Sequence, residues 1–360
     1  MAELNIGATT TSTKVSDYSI SPKSPDSSQQ QKETYWYNSN FTKYFGIYKS
    51  VAKIKNTLNT YATWCLGAGY ITKSDIDRTI LENITGWGED TFNSIIWNML
   101  VTKKVNGDAY AEIVLDDETG MLINLKPLNP EYVRHVVNAK GRIIAYDFLQ
   151  PNTREATHRF KPSEILHFVN DRVTDEIHGV SVIEAIRWNI EATEEAKRIY
   201  RQKHKNGAII GIVEVDTDDA TKITNLKPEI KQGLEDGTFL MVPKGVLEVK
   251  PWDVKLDTEG TLAWLRYLDD DFYTSVGVPR VIMGGTNDST EAAAKVGSVM
   301  FDPIYIREIQ ELQADIWNQL NIRVEWNKQN SMMDNVQSDQ SKNQSQTGFQ
   351  PNDMMAGVGK

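Results

Sequence analysis

Apolar residues recur every three or four positions at Val51, Ile54, Leu58, Tyr61 and Cys65, which predicts an amphipathic helix over residues 47–66, stopped by Gly67-Ala68-Gly69. The same period predicts a second helix from about Asp90 through Phe92, Ile95, Ile96, Met99 and Leu100, ending at the turn signal Asn106-Gly107-Asp108. The pattern then changes. Residues 109–115, 122–125, 133–137 and 143–148 are β-branched or aromatic runs, separated by Glu118-Thr119-Gly120, by Pro127 and Pro130, and by Lys140-Gly141, which predicts an antiparallel β region. Helical spacing returns over residues 181–205, where Ile183, Ile186, Ile190, Ala196 and the Ile199/Tyr200 pair form one stripe.

Residues 208–257 read as a compact α/β insert: a strand at 209–215, a helix-like segment near 220–234, then Phe239-Leu240-Met241-Val242 and Leu247-Glu248-Val249. A helix over 261–276 follows, with Leu262, Leu265, Leu268, Phe272 and Val276 on one face and Gly277-Val278-Pro279 at its end. Two helices bracketing a small insert predict a stalk with a head on it. Gly284-Gly285 opens a polar loop in which Asp288 and Glu291 have the spacing of a helix start. The long helix that follows runs to about Leu320, aligning Val296, Val299/Met300, Ile309, Leu312, Ile316 and Leu320, and Pro303 inside it predicts a kink. Ile322-Arg323-Val324-Glu325-Trp326 reads as a closing strand, and the whole as an α+β fold.

Charge sharpens this outline. The chain of 360 residues has a formal net charge of -10, which argues against coating nucleic acid through bulk positive charge. Yet Lys197, Arg198, Arg201, Lys203 and Lys205 place five cations within nine residues at one helix end, and residues 214–259 then carry eleven acidic residues against six lysines. The first thirty-odd residues, including Ser21-Pro22-Lys23-Ser24-Pro25, and those from about Asn330 onward are too polar to form a core, and read as a mobile arm and a tail. No apolar run approaches about eighteen residues, so no transmembrane helix is expected. The start has no signal-peptide pattern, and the expected location is a cytoplasm unless the protein is packaged.

Candidate chemistry is sparse. Gly67-Ala68-Gly69 follows a helix, and Gly284-Gly285 lacks the downstream Gly-Lys-Ser/Thr of a nucleotide loop, so both read as turn or hinge glycines. His135, His158, His167, His178 and His204 show no clustered metal-ligand spacing, and each reads singly as a core or surface histidine. Asp269-Asp270-Asp271 and Asp216-Thr217-Asp218-Asp219 could collect Mg²⁺ for phosphodiester chemistry, but three consecutive carboxylates on a helix point three ways and read better as a solvated face or channel lining. No serine sits in a Gly-x-Ser-x-Gly elbow. Cys65, alone, excludes a disulfide framework and reads as a buried apolar side chain. Nothing in this inventory requires an enzyme, a cofactor or a metal.

The order of elements and several short motifs resemble the portal, or connector, proteins of tailed viruses. The motifs are Asn106-Gly107-Asp108-Ala109-Tyr110, Pro127-Leu128-Asn129-Pro130, Phe160-Lys161-Pro162-Ser163-Glu164-Ile165-Leu166-His167-Phe168, His178-Gly179-Val180-Ser181-Val182-Ile183-Glu184-Ala185, Lys205-Asn206-Gly207, and Val276-Gly277-Val278-Pro279 with Met283-Gly284. The resemblance implies a structural ring of about twelve copies at one capsid vertex, a conduit for double-stranded DNA without sequence reading. It implies a disordered arm at 1–34, a wing at 35–180, stem helices at 181–205 and 260–278, and a clip at 206–259. It further implies a tunnel-loop region at 279–291, a kinked helix with the wing's closing strand at 292–327, and a disordered tail at 328–360 in place of the helical crown of larger members. Gly284, Gly285, Thr286, Asn287, Asp288, Ser289 and Thr290 would form the tunnel loop, and the five cations would face the channel or a subunit interface. Implied partners are further copies of the chain, the terminase large subunit, the major capsid protein and a head-completion or tail adaptor, with no membrane. The implied location is the virion vertex, and the host cytoplasm during assembly. Rival readings are a metal-dependent DNA-processing enzyme and a capsid adaptor without a channel.

Overall fold

Two short helices, α1 (Phe41–Ser50) and α2 (Ala52–Leu66), replace the single helix expected over residues 47–66. The computed structural model describes residues 34–37, 40–138, 141–151, 155–174, 176–206, 211–215, 247–251, 258–284 and 291–328. Val51 is extended (φ −96°, ψ 98°), and the Ser50 hydroxyl turns back to the Ile47 carbonyl at 3.3 Å, so the helical ladder breaks at one residue. Beyond the break α2 buries Ile54, Leu58, Tyr61 and Cys65, the stripe that the spacing predicts.

The strand β2 (Tyr70–Thr72) and the helix α3 (Asp75–Glu82), capped by the Ser74 hydroxyl, come next and were not foreseen in the hydrophobic pattern. The central helix, α4 (Phe92–Asn106), begins with a reciprocal cap: the Thr91 hydroxyl accepts from Ser94 N at 3.2 Å and the Ser94 hydroxyl accepts from Thr91 N at 2.9 Å. Phe92, Ile95, Ile96, Met99, Leu100 and Val105 are all buried, as befits a helix packed on most sides.

The β region forms two antiparallel sheets. β3 (Asp108–Leu115) pairs on one side with β4 (Leu122–Leu128) and on the other with β8 (Ile165–Val169). The second sheet orders β1 (Thr34–Tyr37), β5 (Val133–Val137), β6 (Ile143–Leu149) and β7 (Ala156–Phe160). Pro130 opens a single 3-10 turn, Pro130–Tyr132, that carries the chain from one sheet to the other.

The helix α5 (Val182–Asn206) then leads into β9 (Gly211–Val215), which pairs antiparallel with β10 (Leu247–Pro251) just before α6 (Thr258–Val276). α7 (Glu291–Leu320) holds Pro303 in its interior, and β11 (Val324–Trp326) pairs with β2. The free edge of β8 is closed by a side chain: Gln319 accepts from His167 N at 2.7 Å and donates to His167 O at 3.0 Å, acting as a one-residue strand. Most of the expected insert, residues 285–290, the arm and the tail lie outside the described residues.

Three of the expected apolar faces are only partly buried. On α6 Leu268 and Phe272 are buried while Leu262 is exposed; on α7 Ile309, Leu312 and Ile316 are buried while Val296 and Met300 are exposed; on α5 Ile199 is exposed. Among the described residues no element covers these positions. The core that does close is aromatic at its centre, with Phe301 packed edge-on against Tyr61 at 6.0 Å and Trp64 at 5.8 Å. Phe301→Ala should therefore lower the unfolding free energy by about 3–5 kcal/mol, read from the denaturant midpoint, whereas Met300→Ala, one residue away on the exposed face, should shift it by less than about 0.5 kcal/mol.

Candidate functional site

The densest polar chemistry lies where α4, β3, β8 and the start of α5 meet. Gly107 ends α4 with a φ of 89°, and its backbone lies flat against Gly179: a Cβ on Gly107 would sit 2.2 Å from Gly179 O, and one on Gly179 would sit 2.2 Å from Gly107 O. Only two glycines let the strands approach this closely. Asn170 locks the contact, its N donating to Gly107 O at 2.8 Å and its Nδ2 donating to Val180 O at 2.7 Å. The Ser181 hydroxyl then donates to Val105 O and accepts from Ile183 N, starting α5.

Asp108, wholly buried, sits beside this contact. Its Oδ1 accepts from His167 Nε2 at 3.0 Å and Gly179 N at 3.2 Å, and its Oδ2 from His178 Nδ1 at 2.7 Å. Burial alone would raise this carboxyl, but hydrogen bonds from the two imidazoles hold it far below the usual carboxylate range. With Nε2–H committed to Asp108, His167 Nδ1 is the acceptor for the Tyr146 hydroxyl at 3.1 Å. His135 stacks on His178 with ring centroids 4.3 Å apart, and its Nε2 lies 2.7 Å from Tyr110 Oη. Burial pushes the His135 and His167 imidazoles below the usual histidine range. The histidines that read singly in the sequence are thus three parts of one network. Its imidazoles bind a carboxylate and phenols, and among the described residues no group of three or more His, Cys, Asp or Glu is placed to hold a metal.

A second buried group ties α7 to α4. Glu308 takes Lys103 Nζ and Lys104 Nζ at 2.7 Å each and the Tyr61 hydroxyl at 3.2 Å, and Lys104 reaches on to Asn170 Oδ1 at 2.8 Å. Burial would raise the Glu308 carboxyl, but the two ammoniums hold it down at about 2. The two networks share Asn170, so α4, α7 and the lead into α5 are held by one chain of polar contacts.

Of the sequence-predicted positions, Gly284 ends a turn and is exposed, while Gly285, Thr286, Asn287, Asp288, Ser289 and Thr290 lie outside the described residues. Lys197, Arg198 and Arg201 are exposed on α5, where Lys197 pairs with Glu194 at 3.2 Å and Arg198 with Glu195 at 3.9 Å. Lys203 and Lys205 continue that helix, and their side chains lie outside the described residues. The three consecutive aspartates of α6 diverge as expected: Asp269 pairs with Lys53 at 2.6 Å, Asp270 with Arg280 at 3.6 Å, and Asp271 accepts from Asn189 at 2.8 Å. Asp216, Asp218 and Asp219 lie outside the described residues.

What periodicity did not foresee is apolar surface facing outward. Val296, Met300 and Ile304 repeat every four residues on α7, and Trp188 and Ile199 fall on the side of α5 opposite buried Ile186 and Thr193. On α6 Trp264 and Tyr267 stack at 5.4 Å on one flank, while Leu262 points roughly 140–200° away, at about 100° per residue.

Residues 88–341 match the family model described as phage portal protein. No curated protein matches the chain. Among solved structures it is similar, at 18% identity and a TM-score of 0.61, to a chain in the neck of a native gene transfer agent particle computed with C12 symmetry, covering 88% of this chain and 92% of that one. It is also similar to an HK97-family phage portal protein from Corynebacterium diphtheriae, at 15% identity and a TM-score of 0.51, covering 76% and 88%. The α+β fold is therefore portal-like.

Two outcomes follow from the junction. Gly179→Ala should destabilise the chain by about 3 kcal/mol or more, since backbone oxygens of both Gly107 and Asn170 block the new methyl; Gly46→Ala, in open space on α1, should instead stabilise it by about 0.5–1 kcal/mol, both read by denaturant unfolding. The melting temperature should also fall as the pH drops through about 6.5 towards 5. The buried His135 and His167 have lowered folded pKa values, so the unfolded chain takes up protons that the folded chain refuses; stability is complete above the ordinary histidine value and is lost below it. Asp108 adds to the loss only on further acidification, below the ordinary carboxylate value of 3.8.

Proposed function

The chain belongs to the phage portal protein family, and from that premise we propose that it assembles as a homo-oligomeric ring at a capsid vertex, a structural conduit through which double-stranded DNA is packaged and ejected. The observation that carries this reading is the set of outward apolar side chains on α5, α6 and α7. A closed ring with head-to-tail contacts needs two different surfaces on each copy, one for each neighbour. Leu262 on one flank of α6 and the Trp264–Tyr267 stack on another supply that asymmetry. The gene transfer agent neck computed with C12 symmetry supports twelve copies.

Within such a ring α5 and α6 act as the stem, with Asn189 bridging them through Leu268 O and Asp271 at 2.8 Å each. The β9–β10 pair emerges between their ends and belongs to the clip, the acidic segment that docks the terminase large subunit and later a head-completion or tail adaptor. Residues 35–180 together with 292–327 form the wing that meets the major capsid protein, and Gly284 to Thr290 form the tunnel loop. Lys197, Arg198 and Arg201, with Lys203 and Lys205 on the same helix, act at the channel wall or a subunit interface. Exposed pairs such as Lys197–Glu194 are worth little by themselves, so these cations can exchange their carboxylates for passing phosphates or a neighbour's acids. The chain works by shape and assembly, without catalysis, in the virion and beforehand in the host cytoplasm.

Mass photometry and negative-stain electron microscopy of the purified chain test the reading. The expected result is a ring near a dozen copies with a central hole. Trp264→Glu combined with Met300→Glu should leave a folded monomer, with the melting temperature of the single chain held within a few degrees. A parent chain that stays monomeric, or a double variant that still closes rings, counts against it.

A further inference from the structure

Trp87 is 71% exposed and yet held rigidly. Its indole Nε1 donates to Pro127 O at 3.1 Å, its backbone N donates to Asp90 Oδ2 at 3.2 Å, and the preceding Gly86 exchanges two hydrogen bonds with the Asn124 side chain, at 2.8 and 2.9 Å. A tryptophan immobilised before it has a partner loses little freedom on binding one, and tryptophan is the commonest kind of interface anchor. Beside it lies a cleft of about 340 Å³ between α1, α4 and the β3–β4 pair. Phe41, Phe45, Pro127, Leu128 and Pro130 supply its apolar walls, and Asp90 is the one charged residue among those that line it.

We infer that this cleft is the docking site for the chain's own Ser21-Pro22-Lys23-Ser24-Pro25 segment. Two prolines three positions apart favour the extended, three-residue-per-turn conformation that aromatic-lined grooves accept. The segment's single cation, Lys23, matches the cleft's single carboxylate, Asp90. The chain geometry allows the return. β1 pairs Tyr37 with Arg134 and Thr34 with Val137, so its Tyr37 end lies by the 3-10 turn that lines the cleft, and its Thr34 end lies about 10 Å further along the strand. Pro25 precedes Thr34 by nine positions, a span of about 28 Å when extended, enough to run back along β1 and reach Trp87.

Limited trypsin digestion of the full chain tests this. Cleavage after Lys23 should be slower than after Lys14 in the same arm by about fivefold or more, and both Trp87→Ala and the double substitution Pro22→Ala/Pro25→Ala should bring the two rates together. The proline pair lies outside the described residues and Trp87 keeps its own contacts in that variant, so it carries the test even if Trp87→Ala loosens its loop. Equal rates in the unaltered chain, or protection of Lys23 that persists in the proline variant, would overturn the assignment. A second measurement fixes the occupant. Because native Cys65 is buried, Ser24→Cys with Asn98→Cys offers one reactive pair for a bifunctional maleimide, used on a mixture of isotopically heavy and light chains. Links within one chain are expected. Mixed heavy–light links, which only cross-linking between copies can produce, would make the occupant a second copy and refute the proposal.

Discussion

Everything in the described core hangs on two backbones that touch. The Gly107–Gly179 contact brings the end of α4 and the lead into α5 closer than any side chain would permit, and it is there that Asp108 enters the interior. A buried carboxylate is expensive unless donors surround it, and here Gly179 N and two imidazoles supply three hydrogen bonds to its two oxygens. The imidazoles in turn fix β8 and the His178 loop, and phenols from β3 and β6 meet His135 and His167. Removing the glycine contact would displace the Gly179 donor and the His178 ring together, so the polar network and the backbone packing stand or fall as one unit.

The long helix α7 is built on opposed chemistries. From Phe301 onward it buries aromatic and aliphatic groups along with a carboxylate, Glu308, clamped by two lysines; from Val296 to Ile304 its other face presents large apolar groups to solvent. A chain that hides a lysine at 1% exposure and shows a methionine at 69% is not minimising its own surface energy as a monomer. The polar clamp fixes α7 against α4, so the apolar face it presents is set in orientation before any neighbour arrives, which lowers the ordering entropy lost on assembly.

Much of this architecture was legible in the chain. The three-and-four spacing along α2 and α4 reports burial directly, the β-branched and aromatic runs of β3, β5 and β6 mark strands that are buried at several consecutive residues, and those elements lie close to where the sequence puts them. The missed break at Val51 depends on one residue's backbone, invisible to a pattern of side-chain polarity. The stripes on α5 and α7 misled for a different reason: positions grouped as one face drift round a long helix, so Ile199 lies about 220° from Ile186, and Val296 lies about 220° from Ile309, each exposed where its distant counterpart is buried. The histidine network was missed because its members stand on β5, β8 and a loop, a juxtaposition that antiparallel pairing creates and local spacing does not encode.

The short motifs that carried the family resemblance acquire a physical meaning from this geometry. Asn106-Gly107-Asp108-Ala109-Tyr110, His167 at the end of its own motif and His178-Gly179-Val180-Ser181 are far apart in the chain, and all of them converge on the one junction. They supply a close backbone approach, a buried charge and its donors, and a helix cap. These signature residues therefore make a joint, held by a close backbone approach and a buried charge rather than by the chemistry of the exposed surfaces around it.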